Sequence, residues 1–296
     1  MNDIEVCIIG HITRDINVVR GVKKEMPGGA GYYATMALQS LNLKTSLVTK
    51  ISPSDHHLLQ DFQSNVTELI VKDSRETMVF ENQYNDDLST RRQRVKTLAD
   101  PFTVEDIPRE LTPRFYHLGP LTKRDIPGEL IEELAEESRV SMDVQGFVRS
   151  IVQGEIVLND WEEKTRYLPY ITILKASYEE AQILTREDEP ISMAKKLSSL
   201  GAQEVIITMG EKGSLIYAED SMYLIPSFSP RVYVDPTGCG DTYIAGYLYM
   251  RSRTNDFYEI GRFSSAMATL KLEYHGAFHG TLEDIHCFLS ERRGGV

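Results

Sequence analysis

Residues 235–242 read DPTGCGDT, and the apolar run YIAGYLYM follows at 243–250. An aspartate set behind two closely spaced glycines can do one particular kind of chemistry. Gly238 and Gly240 allow backbone angles that other residues resist. Pro236 stops the strand-like RVYV from continuing in a central position. Asp241 then opens a segment that can run as a helix with an apolar stripe. Such a loop delivers consecutive backbone N–H groups to the positive end of a helix, where an anion is favoured. The same residues also suit an Asp N-cap on a glycine-rich turn. Two familiar nucleotide loops are excluded. A P-loop needs Gly-Lys-Ser/Thr, whereas Gly240 precedes Asp241. A dinucleotide fingerprint needs glycine where Tyr243 stands, and HITRD follows the first strand instead of its glycines.

The elements that must position this loop follow from periodicity. EVCIIG reads as a buried strand, AGYYATMALQSL as a helix and KTSLVTKI as a strand. ELIVK, ETMVFENQY and TRRQRVKTL, spanning about 66–98, carry β-formers without a helical stripe and predict strands outside the main sheet. Strands RFYHLG, RVSMDV, YITILKAS and EVIITMG then alternate with helices PGELIEELAEES, SYEEAQILT and PISMAKKLSSLG. SLIYAEDSMYLIP reads as a hairpin turning at Glu219-Asp220, and helices dominate from Asp241 onward. The pattern predicts a single α/β domain over 1–296, a mostly parallel central sheet with helices on both faces and a small β extension.

Composition narrows the function. The 296 residues are 41% hydrophobic and carry a net charge of −12, which counts against a nucleic-acid partner. Its one dense basic patch, TRRQRVK, suits a solvated face. No run approaches a membrane span. The opening MNDIEVCIIGH has acids where a secretory leader needs basic residues, and Cys7, Cys239 and Cys287 form no paired-cysteine spacing. A cytoplasmic protein is the expectation.

The string DPTGCGD, in its strand–loop–helix context, resembles the second signature of the ribokinase-like (PfkB) carbohydrate kinases. The resemblance implies an anion hole of Gly238, Cys239 and Gly240 for the transferred phosphate, with Asp241 as catalytic base. The positive field of the loop is expected to hold Asp241 ionised and hence weakly basic. IIGHITRDINV is similar to the family's first strand, which makes Asp15 a partner for substrate hydroxyls. MPGGAGYYAT supplies the Gly-Gly pair as Gly28 and Gly29. Tyr33 replaces the ribokinase Asn, an aromatic suited to stacking on a ring-shaped polyol. LKASYEEAQIL matches the Asn-x-x-Glu segment, so Glu180 would position Mg²⁺ through water, with Ser177 in place of Asn. ITMGEKGSLIY resembles the nucleotide-edge loop, which assigns Thr208, Gly210 and Gly213, together with Thr237, to ATP. YHGAFHG at 274–280 falls where relatives close over adenine. The strands at about 12–24 and 66–98 correspond to the family's lid, with Arg91, Arg92 and Arg94 able to aid anion charge and a homodimer able to form through the lid.

HLGPL at 117–121 departs from the phosphosugar pattern Ser-Gly-Ser-Leu-Pro. SMDVQGFVRS at 141–150 looks like the branch that includes myo-inositol kinases, making Gln145 and Arg149 candidate contacts to substrate or nucleotide, with substrate preferred. A surface loop explains those two residues equally well. The resemblance thus implies an ATP- and Mg²⁺-dependent kinase acting on a small non-phosphorylated sugar or cyclitol. A nucleoside kinase and a non-catalytic sugar sensor of the same fold are the alternatives.

Overall fold

In the computed structural model, which describes residues 4–62, 66–84 and 91–292, the chain begins with β1 (Val6–Ile9), β2 (Thr13–Val19) and β3 (Val22–Gly28). Helix α1 (Ala30–Ser40) and strands β4 (Thr45–Ile51), β5 (Thr67–Asp73), β6 (Met78–Tyr84) and β7 (Arg91–Thr97) follow. Next come β8 (Phe115–Leu118), α2 (Gly128–Glu137), β9 (Arg139–Asp143), β10 (Arg149–Val152), β11 (Glu155–Leu158) and the single turn α3 (Lys164–Tyr167). The remainder is β12 (Ile173–Ser177), α4 (Tyr178–Thr185), α5 (Pro190–Ser199), β13 (Glu204–Thr208), β14 (Ser214–Ala218), β15 (Ser221–Ile225), α6 (Cys239–Arg251), α7 (Phe257–Lys271) and α8 (Leu282–Glu291).

Nine strands form the main sheet in the order β15-β14-β13-β12-β9-β8-β1-β4-β5, parallel from β13 through β5. Its strands are apolar on both faces because both faces are covered. Val6 and Ile8 of β1 pack with α1, α6 and α7, whereas Cys7 and Ile9 pack with α2, α4 and α5. The β14–β15 hairpin turns at Glu219 and Asp220, whose φ angles of 50° and 57° match the mirror-image turn that suits strand twist. This is the α/β architecture that the strand–helix alternation predicts.

A second sheet, β10-β11-β7-β6-β2-β3, stands on the carboxyl end of the first. It is fed directly from that end: β2 starts four residues after β1 stops, and β10 follows β9 after one 3₁₀ turn at Val144–Val148. Its inner face has a small core of Ala30, Met78, Phe80, Val95 and Leu121. The stretch 66–98 divides between the two sheets rather than standing wholly outside the first. β5 pairs in parallel with β4, from Thr45 opposite Thr67 to Ile51 opposite Asp73. Leu69 and Val71 meet one core layer and Ile70 the other, and this two-sided burial draws β5 into the main sheet. Residues 85–90 lie outside the described residues. The β10–β11 hairpin is an element that the sequence patterning does not anticipate.

Helix α6, which carries Asp241 in its first turn, is anchored at its far end. Glu204, at the start of β13, accepts hydrogen bonds from Tyr247 Oη at 2.7 Å and Arg251 Nε at 2.9 Å, all three groups being largely buried. Glu204→Ala leaves the Arg251 guanidinium and the Tyr247 hydroxyl without their acceptor. Loss of one partner from a buried pair costs about 3–5 kcal/mol, so urea denaturation at pH 7 is expected to show a destabilisation of that order.

Candidate active site

The 235–240 loop owes its shape to contacts on both sides. Val234 and Asp235 donate their N–H groups to Leu272 O at 2.8 and 3.2 Å. Asp235 Oδ1 accepts the Thr237 N–H at 2.9 Å, tightening the turn. Gly238 caps α6 with φ 79°, in the left-handed region. A Cβ at Gly238 would lie 2.3 Å from Tyr33 Cδ1, so conformation and space both require glycine. The first-turn amides of a helix have no intrahelical acceptor, and Gly240 and Asp241 face a cleft. Cys239 does not line that cleft. Its N–H is taken by Pro236 O at 3.2 Å and its thiol turns toward Ala268 O. Burial pushes the Cys239 thiol up to about 12.

Asp241 belongs to a cluster of charges at the carboxyl ends of β9 and β12. Lys175 Nζ donates to Asp143 Oδ2 at 2.6 Å, with both side chains less than one-tenth exposed. The same Nζ would stand 3.1 Å from a Cβ at Gly240, which places the ammonium against the first turn of α6. Burial and the nearby Asp143 raise the Asp241 carboxyl to about 6, although Lys175 and Arg149 pull it back. This reverses the expectation of a carboxylate held ionised by the loop, because the desolvation cost exceeds the help from the helix terminus. Burial also pushes the Asp143 carboxyl upward, but Lys175 outweighs it and holds Asp143 below the usual range. For Lys175 burial favours the neutral amine, and Asp143 and Glu180 reverse that preference. The two aspartates are thereby driven apart, Asp143 toward a permanent anion and Asp241 toward a group that exchanges protons near neutrality.

Glu180 is buried beside this cluster but does not line the cleft. Its Oε2 accepts the Ser177 N–H at 2.8 Å while Ser177 Oγ accepts the Glu180 N–H at 3.3 Å, a capping box that starts α4. Among the described residues no group of three or more His, Cys, Asp or Glu side chains is arranged to hold a metal ion. A divalent ion in this cleft would therefore take most of its ligands from phosphate oxygens and water.

The opposite wall comes from the second sheet. Asp15 Oδ1 accepts from Thr13 Oγ1 at 2.6 Å, and a Cβ at Gly28 would fall 2.7 Å from the Asp15 carboxyl, so Gly28 serves to seat Asp15. Gly29, with φ 86°, lets the chain turn into α1 over His11 O. Asn82 Oδ1 accepts from Gln93 Nε2 at 2.9 Å, and Asn82 Nδ2 donates to Asn17 Oδ1 at 3.0 Å, a polar ladder crossing three strands. Thr13, Asp15, Gly29, Phe80 and Gln93 line the cleft from this side. Gln145, Lys175, Thr237, Gly238 and Asp241 line it from the other, and Arg149, where β10 of the second sheet begins, lines it near enough to Asp241 to act on its charge. Its volume, about 210 Å³, lies below the roughly 300–1,000 Å³ of drug-sized pockets.

Several expected residues stand elsewhere. Tyr33 borders the cleft but is only 3% exposed, with its ring against Gly238 and edge-on to Tyr32, so it props the loop instead of offering a stacking surface. Thr208 ends β13, Gly210 and Gly213 sit on the turn after it, and none of the three lines the cleft. Arg92 and Arg94 point outward and share Glu155 at 2.7 and 2.5 Å, while Gln93 between them points in, as strand alternation requires. The side chain of Arg91 lies outside what is described. Tyr274, His275, His279 and Gly280 line a separate cavity of about 400 Å³ between the end of α7 and α8. Asp143 and Lys175 were not singled out from the sequence. A lysine inside the otherwise apolar strand YITILKAS is the signal that marks one of them, since unpaired lysines are almost never fully buried.

The chain is similar to known proteins over most of its length. The chain matches the pfkB family carbohydrate kinases over residues 5–284. The inositol 3-kinase of Arabidopsis thaliana is 30% identical over 259 residues, covering 82% of this chain and 67% of that enzyme. The cytidine kinase of Thermococcus kodakarensis is 26% identical over 260 residues, covering 84% of this chain and 90% of its own. Among solved structures, a pyrophosphate-dependent kinase in the ribokinase family, complexed with a pyrophosphate analog and myo-inositol, superposes with a TM-score of 0.85 at 27% identity, covering 95% of this chain and 99% of that one. With the match running through both sheets and the Asp241 loop, the chain belongs to the pfkB family of carbohydrate kinases.

Proposed function

We propose that this protein transfers a phosphoryl group from ATP, with Mg²⁺, to one hydroxyl of a small non-phosphorylated cyclitol or sugar of the inositol type, with Asp241 as the base. One observation carries the reading: the Asp241 carboxyl, the first-turn amides of α6 and the Lys175 ammonium face a single small cleft whose far wall is the Asp15 carboxyl and a carboxamide ladder. Hydroxyls of the acceptor donate to Asp15, an acceptor-only group when ionised. One of them lies against Asp241. Oxygens of the transferring phosphoryl group meet the Gly240 and Asp241 amides, with Lys175 and Arg149 supplying positive charge, so the loop is prearranged for the charge that develops in transfer. Asp241 accepts the hydroxyl proton as the new O–P bond forms, and a carboxyl lifted to about 6 is a stronger base than an ordinary aspartate while still ionised at pH 7. Glu180, which could reach only through water, would help hold a bound magnesium ion, whose chemistry there would be to neutralise phosphate charge.

Both cations of the cleft act on Asp241, at the donor end. A phosphorylated acceptor would need its own cationic clamp on the far wall, and among the described residues that wall is lined by Thr13, Asp15, Phe80 and Gln93. The inositol kinase likeness supports the acceptor class. On the family resemblance the glycine turn after β13, with Gly210 and Gly213, would take the nucleoside of ATP, a group that pyrophosphate lacks. Pyrophosphate remains the competing donor because a similar structure is pyrophosphate-dependent.

A phosphate-release-independent assay, following ³¹P signals of acceptor and donor, is expected to show product from ATP with myo-inositol and none with adenosine or cytidine. Product from pyrophosphate but not ATP would overturn the donor assignment, and product only from a nucleoside would overturn the acceptor. Asp241→Asn is expected to lower kcat by at least about 10³-fold while changing donor affinity, measured by calorimetry, less than about threefold. Equal losses in both would remove Asp241 from the role of base.

The raised Asp241 pKa gives a second test. Since kcat/KM reports groups of the free enzyme, its acid limb is expected near pH 6, moving to higher pH in Lys175→Met where an attractive charge is lost. For stability the sign is opposite to that of an ordinary salt-bridged aspartate. A carboxyl whose folded pKa lies above its unfolded value contributes fully below about pH 4 and loses that contribution as pH rises through about 6. Asp241→Asn is therefore expected to be more stable than the natural protein at pH 7, by up to about 3 kcal/mol, with the difference gone by pH 4 in chemical denaturation.

A further inference from the structure

Lys271, the last residue of α7, is 0% exposed, and its ammonium ends among oxygen atoms rather than in water. Nζ donates to Asp235 O at 2.9 Å and to Tyr274 O at 3.3 Å, and stands 3.5 Å from Asp235 Oδ2. Two main-chain carbonyls and a carboxylate converging on one point form the kind of oxygen nest that replaces the hydration shell of a bare monovalent cation. Without a positive charge among them these oxygens would repel one another. They also come from two different segments. Asp235 heads the loop that caps α6, with its Oδ1 on the Thr237 N–H at 2.9 Å, whereas Tyr274 and Gly276 belong to the chain leaving α7. The Gly276 N–H points to Asp235 Oδ2 at 3.4 Å, and Leu272 O receives the amides of Val234 and Asp235. The ammonium thus closes a junction whose other end is the row of amides facing the cleft.

Filling this volume with an uncharged side chain would avoid the desolvation that a buried ammonium incurs. Packing alone therefore does not account for a lysine. We propose that Lys271 is a covalently tethered monovalent cation, a positioning residue that fixes the 235–240 loop in the form that receives the transferring phosphoryl group, so that the protein works without free potassium or ammonium. The functional half of this inference rests on the kinase reading above; the structural half does not.

Two substitutions separate charge from bulk. Lys271→Ala empties the oxygen nest, and Lys271→Met fills it with an uncharged chain of similar length. Thermal melting is measured at one ionic strength in the chlorides of potassium, ammonium, methylammonium and tetramethylammonium. The natural protein is expected to melt at the same temperature in all four. Lys271→Ala is expected to melt lower and to recover in a saturable way with the three small cations, because a ligand that binds only the folded state stabilises it; tetramethylammonium is too large to enter. Lys271→Met is expected to show no such dependence. In turnover, the natural protein should vary less than twofold among the salts. Lys271→Ala should lose at least tenfold in kcat/KM for the phosphoryl donor and regain at least fivefold with saturating small cation, while Lys271→Met stays low. Equal responses of the two variants would overturn the inference. So would a natural protein that loses tenfold or more of its activity when potassium is replaced by tetramethylammonium, and that measurement decides the matter if Lys271→Ala does not fold. A melting pattern as expected, together with no turnover of any acceptor, would leave the tethered cation standing and remove the kinase reading.

Discussion

The Lys175 ammonium, held between the Asp143 carboxylate and the first turn of α6, governs the charge state of everything around it. Asp143, Glu180 and Asp241 approach one another in a region with little water, and three such carboxyls could not all stay ionised without a cation in their midst. The lysine settles the conflict unequally. Asp143 touches it and becomes the fixed anion, while Asp241, held away from it, keeps an affinity for a proton. The helix terminus does not decide the outcome by itself. Its partial charge favours an anion in front of the amides, but the carboxyl attached to the third residue of the helix is buried too deeply to benefit in full.

The loop that carries this chemistry is braced from opposite sides by residues distant in sequence. Tyr33 of α1 lies under Gly238, so the ring fixes the conformation that only glycine can adopt there. The end of α7 holds Asp235 and Val234. Further down α6, the Glu204 contacts to Tyr247 and Arg251 keep the helix axis pointed at the cleft.

How far the sequence could be read depends on the range of the interaction concerned. The parallel sheet was legible because two-sided burial makes its strands uniformly apolar, and the Asp241 turn because its glycines answer to local backbone geometry. Asp15 and the Gly28–Gly29 pair came from the family resemblance, since a lone aspartate or a glycine pair after a strand reads locally as a turn. β5 was misplaced because a short strand with both faces covered has no alternation to distinguish it from a strand of the second sheet. Lys175, Asp143 and Gln93 escaped notice because their importance comes from neighbours on other strands, which no local pattern records. Tyr33 and Cys239 were given contacts with ligands on the strength of resemblance. Their side chains instead turn toward Gly238 and Ala268, a matter of packing between α1, α6 and α7.

The two walls of the cleft have separate origins in the fold. The second sheet supplies Thr13, Asp15, Phe80 and Gln93, while the strand ends of the main sheet and the start of α6 supply Lys175, Asp143 and Asp241. The small core of the second sheet draws mainly on its own strands. Exchange of side chains along β2, β6 and β7 would then reshape one wall of the cleft without disturbing the charge balance at the other. Selectivity in such a scaffold can drift by substitution in one layer while the reaction itself is inherited unchanged in the other.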